Sequence, residues 1–134
     1  MTQTFSRRDL ISFSAAILAG IMVSPDITQR YFSRNRLGNR FVKTFAHDLK
    51  SARAVGQAYL RNVPQESNAC ILTDMILKRG TDLMQRLDAL SEKDLIAKLR
   101  DLITDDFTSE NTVQVDGWIL SRTEARLCAL CSLL

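Results

Sequence analysis

The sequence predicts a mainly α protein: a small helical bundle with a short β-hairpin before its C-terminal helix, preceded by an N-terminal signal or anchor helix. Three observations lead there. Through most of the 134 residues, apolar side chains recur at three- and four-residue spacing, which places them on one face of a helix. One stretch breaks that rhythm: Thr112-Val113-Gln114-Val115 alternates, Asp116-Gly117 is a tight-turn pair, and Trp118-Ile119-Leu120 returns the chain. The composition, 46% hydrophobic and 25% charged, is that of a chain able to bury a core.

The first segment, Met1–Pro25, reads as an address. Ser6-Arg7-Arg8-Asp9-Leu10-Ile11 leads into an apolar run that continues to Val23. Adjacent arginines before a short apolar segment mark a bacterial export signal. Ser6, Arg7 and Arg8, with Leu10 and Ile11 in the following apolar positions, resemble the twin-arginine (Tat) signal family; Ser12 departs from that family's lysine. The 14 residues from Leu10 to Val23 make a helix of about 21 Å, short of the roughly 30 Å hydrocarbon core. Two features oppose a simple cleaved leader. No Ala-x-Ala site follows the run, with Pro25 directly after Ser24, and Arg30, Arg34, Arg36, Arg40 and Lys43 follow with no acid between Ile27 and Ala46. Such positive flanks favour the cytoplasmic side, so an uncleaved anchor is the alternative.

Charge is divided unevenly. Residues 1–43 hold seven basic and two acidic residues, a balance of +5, whereas residues 44–134 hold 11 basic and 13 acidic, a balance of −2. The body therefore offers no cationic stripe for a phosphate backbone, and nucleic acid is not an expected partner. Residues 26–38 read as a basic linker or a helical extension, whose arginines anionic lipid would attract by about 1 kcal/mol per near-surface charge.

The helical domain occupies residues 39–134. Its first helix is expected over Asn39–Asn62, capped by Asn39, with Phe41, Phe45, Leu49, Ala52, Val55 and Tyr59 on one face, and ended by Val63-Pro64. Ala52 and Gly56 lie four apart beside that face, where small side chains permit close approach of another helix. A second helix is expected over Gln65–Arg79, with Ile71, Leu72, Met75 and Ile76 inward and Gly80 as its stop. A third is expected over Asp82–Leu90, and a fourth begins at the capping sequence Ser91-Glu92-Lys93-Asp94 and runs to Asp106. Asp105 and Asp106 at its end oppose the helix dipole; they are either exposed or meet a basic partner. Ser121 and Glu124 form a capping box opening the last helix, with Leu127, Leu130, Leu133 and Leu134 as its apolar face.

Two readings of the hairpin are open. Trp118 packs the ribbon onto the helices, since two strands are unstable alone, or Val113, Val115 and Trp118 form a partner-binding lip.

Chemistry-bearing motifs are sparse. Cys128 and Cys131 form a CxxC, yet Ser132 stands where haem attachment needs histidine. Zinc would need two further ligands, which neither Cys70 nor the lone His47 supplies at suitable spacing. A redox pair belongs at a helix N-terminus, and this one is near a C-terminus. Inward packing is thus expected for both thiols, a surface position for His47, and no metal or cofactor. Without a Gly-rich phosphate loop, a Gly-x-Ser-x-Gly elbow or His-Glu-x-x-His, no enzyme activity is expected.

A Tat-like leader, Ser6-Arg7-Arg8, joined to a compact helical body without visible chemistry resembles the small subunits of bacterial flavin dehydrogenases of the gluconate 2-dehydrogenase subunit 3 type. That resemblance implies a non-catalytic accessory subunit, exported through the Tat translocase with a larger dehydrogenase subunit, and periplasmic or inner-membrane-associated. A free-standing membrane-associated structural protein, held by an uncleaved N-terminal helix, is the alternative.

Overall fold

A computed structural model describes residues 25–45, 47–80, 86 and 89–134. Ser6, Arg7, Arg8, Leu10 and Ile11 lie outside the described residues, as do six of the nine residues of the helix expected over Asp82–Leu90. The chain divides into two units, Met1–Arg30 and Tyr31–Leu134, and the bundle is the second.

The described residues form five α-helices and one hairpin: α1 (Pro25–Phe45), α2 (Leu49–Asn62), α3 (Ala69–Arg79), α4 (Glu92–Thr108), β1 (Thr112–Val115), β2 (Trp118–Ser121) and α5 (Arg122–Leu133), with a single 3-10 turn at Pro64–Glu66. The strands are antiparallel, pairing Thr112 with Ser121 and Val115 with Trp118. The fold is therefore mainly α, with the expected hairpin before the last helix.

Helix α5 is the central strut, packing on α2 most extensively and also on α3 and α4. Gly56 explains the first contact, because a Cβ built there would stand 2.1 Å from the Cys128 carbonyl oxygen. The small pair Ala52 and Gly56 thus admits the α5 backbone directly. Phe41, Tyr59, Leu72, Ile76, Leu95, Leu127 and Leu130, all less than 2% exposed, fill the space between the helices.

Four expectations need correction. The helix expected over Asn39–Asn62 is two helices. Asp48 adopts extended backbone (φ −121°, ψ 93°) and caps α2, its carboxylate accepting from Lys50 N (3.1 Å) and Ser51 N (3.3 Å). An Asp that satisfies orphan amide donors ends one helix and begins another without glycine or proline. Asn39 instead lies inside α1, donating through Nδ2 to the Asn35 carbonyl, and Leu49 is exposed. Second, α3 starts at Ala69, where Asn68 accepts from Cys70 N and Ile71 N. Its buried residues are Leu72, Thr73, Ile76 and Leu77, while Ile71 is exposed. Third, Leu133 and Leu134 at the end of α5 are exposed rather than buried. Fourth, Trp118 does not pack the ribbon down; Val115 does.

Two buried carboxylates tie the bundle together. Asp106, fully buried, accepts from Arg79 Nη2 (2.5 Å), Asn111 Nδ2 (2.6 Å) and Thr123 N (2.7 Å). Asp105 meets Arg79 from the solvent side at 3.2 Å. Although Asp106 opposes the dipole of its own helix, it serves the N-terminus of α5, where an amide donor and a positive field await an anion. Glu66 accepts from Tyr59 Oη (2.6 Å) and from both Nε (3.0 Å) and Nη2 (2.9 Å) of Arg126. Burial pushes both carboxyls up. In each case the hydrogen bonds and nearby guanidinium outweigh it and hold the group below the ordinary carboxylate range.

Candidate functional site

The hairpin tip is the candidate binding surface. Asp116 and Gly117 make the two-residue turn with φ +48° and +86°, the left-handed pair that matches strand twist. At its base, Arg122 N donates to the Asn111 carbonyl (3.0 Å) and Asn111 N to the Asp106 carbonyl (2.8 Å). Buried Ser121 accepts from Glu124 N (2.9 Å). Ser121 thus caps α5 at the corner where β2 turns into it, with Glu124 taking part through its backbone amide.

From that base the tip projects. Trp118 is 74% exposed and Ile119 66%, whereas Val115, the cross-strand neighbour of Trp118, is 2% exposed and part of the core. Of the three residues expected to form a lip, Val115 is unavailable to a partner, Val113 is half-buried and Trp118 is open. Ile119, which the sequence reading did not include, is the second large apolar side chain exposed at the tip. The Arg61–Asp116 ion pair beside the turn is long at 3.8 Å and exposed on both sides, so it adds little.

The two cysteines of the CxxC, Cys128 and Cys131, sit in a setting that disfavours a thiolate. Cys128 and Cys131 are buried with Ala52, against Val42, Phe45 and Val55. Burial, with Cys131 and Glu124 nearby, pushes the Cys128 thiol up to about 12. That is the opposite of the lowered value an attacking thiolate needs. Cys131 is also shifted up, chiefly by burial, and its carbonyl accepts from Arg53 Nε at 3.0 Å. Half-buried Cys70 lies 3.6 Å from Asn35 Oδ1. No group of three or more His, Cys, Asp or Glu among the described residues is placed to hold a metal, and none of their helices is long and apolar enough to cross a membrane. His47 is exposed at the α1–α2 junction, as expected.

No protein-family model, curated protein or solved structure matches this chain.

Proposed function

We propose that this chain is a non-catalytic accessory subunit, exported by the Tat pathway with a larger redox enzyme and docked on it through Trp118 and Ile119. The observation that carries the docking is the exposure of an indole and an adjacent isoleucine on a hairpin built from buried hydrogen bonds. A large aromatic side chain is costly to leave in water and is enriched among residues that dominate interfaces. The twin-arginine pair Arg7-Arg8 supports the export half of the reading, and the raised Cys128 thiol agrees with a non-catalytic body.

Two measurements test the halves separately. A reporter fused behind the leader is exported when Arg7 and Arg8 are present and retained in the Arg7→Lys/Arg8→Lys variant; unchanged distribution defeats the export reading. A dehydrogenase subunit co-purifies with the native protein and is lost from Trp118→Ala. Recovery of the native protein as a lone cytosolic monomer defeats the accessory reading. Mass spectrometry of the mature N-terminus distinguishes a cleaved escort from a membrane-anchored structural protein, which would retain its first residues.

A further inference from the structure

The turn of the hairpin carries a chemistry of its own, separate from the apolar side chains beside it. Asp116 is the one aspartate in the sequence that is followed by glycine, and no asparagine is followed by one. An aspartyl carboxyl can close a succinimide ring on the amide nitrogen of the next residue, provided that nothing crowds the nitrogen or pins the side chain.

Both conditions are met at the tip. The Asp116 side chain is 70% exposed and meets Arg61 only at 3.8 Å, too far for a hydrogen bond to hold it. Val115 and Trp118 are the last paired residues of the ladder, so the Gly117 amide lies beyond it. Glycine has no side chain to shield that nitrogen, and nothing stands within 4 Å of where a Cβ would be. Asp106 is the contrast: fully buried inside α4, it is held by three hydrogen bonds and followed by Phe107.

We infer that Asp116-Gly117 is a site of spontaneous isoaspartate formation, with water as its only co-reactant. The Gly117 nitrogen gives up its proton and bonds to Asp116 Cγ, and a carboxyl oxygen leaves as water. Water then opens the ring. Opening at the Cγ carbonyl restores aspartate. Opening at the main-chain carbonyl leaves Gly117 joined through Cγ, with the backbone one methylene longer and a carboxylate on Cα. That longer link no longer fits a two-residue turn, whose left-handed pair matches the strand twist, so pairing beside Trp118 loosens. Loss of a partner docked on Trp118 is a further consequence that rests on the docking reading; the conversion itself does not.

Storage of the full chain at neutral pH, then unfolding and digestion with an endoproteinase that cuts before aspartate but not isoaspartate, tests this. Cleavage between Val115 and Asp116 is progressively lost, while cleavage before Asp74 and Asp101 persists. An isoaspartyl methyltransferase supplied with S-adenosylmethionine labels the stored native chain and not stored Asp116→Glu, which would have to close a larger ring. Full retention of the cut before Asp116, equal loss before Asp74, equal labelling of Asp116→Glu, or conversion in urea but not in the folded chain overturns the proposal.

Discussion

At the scale of single residues, the most consequential side chain is Asp106, one of two adjacent acids that the sequence left as either exposed or meeting a basic partner; Arg79 is that partner. Its three hydrogen bonds reach α3, the loop before β1 and the start of α5. Asp106→Asn keeps the shape but removes the charge that balances Arg79 and the α5 N-terminus; breaking a buried pair costs about 3–5 kcal/mol, readable as a lower urea midpoint. Trp118→Ala is the contrasting case. An exposed side chain away from caps and core changes stability by about 0.5 kcal/mol or less. If the indole anchors a partner, the same substitution weakens that complex by about 2 kcal/mol or more. Unfolding and pull-down on one variant separate the two effects. Asp106 could not be singled out beforehand because its partners lie up to 27 positions away, and nothing local marks which of two adjacent acids turns inward.

Among the elements, the α2–α5 contact depends on a missing side chain. Gly56→Ala raises helix propensity by about 1 kcal/mol. It also drives a methyl group into the Cys128 carbonyl and the Ala129 backbone, which cannot give way as a flexible side chain would. Overpacking of this kind costs about 1–3 kcal/mol, so thermal unfolding of Gly56→Ala occurs below that of the native chain despite the better helix former. Gly117 presents the reverse situation: nothing lies within 4 Å of its missing Cβ, but φ is +86°. Gly117→Val therefore strains the turn itself, and the effect is confined to the hairpin, as amide exchange in Thr112–Ser121 would report. Close approach at Ala52 and Gly56 and the Asp-Gly turn were both legible, since each depends on chain-local chemistry. The α1–α2 break was not, because Asp48 reads equally well as a polar position on one continuous helix until its carboxylate is seen on the amides of Lys50 and Ser51.

For the whole molecule, Asp106 and Glu66 make stability a function of acid. Both carboxyls are lowered in the folded chain, so the unfolded chain takes up protons first as pH falls. Their contribution is present above the ordinary carboxylate values near pH 4 and is lost progressively below them, until the folded groups protonate as well. Urea midpoints are accordingly flat in this contribution from pH 7 to 5 and fall below about pH 4, with a shallower fall in Asp106→Asn. From its order of residues alone, this chain settled its helical character, the hairpin with its turn, the Ser91 and Ser121 starts of α4 and α5, and the inward thiols, because periodicity, turn chemistry and caps act within a few positions. Tertiary structure decided where α1 yields to α2, that Val115 and not Trp118 closes the hairpin onto the core, and that Glu66 and Asp106 bind the helices together. Those outcomes depend on which distant donors and surfaces arrive beside a residue once the chain has packed, and neighbouring residues carry no record of that.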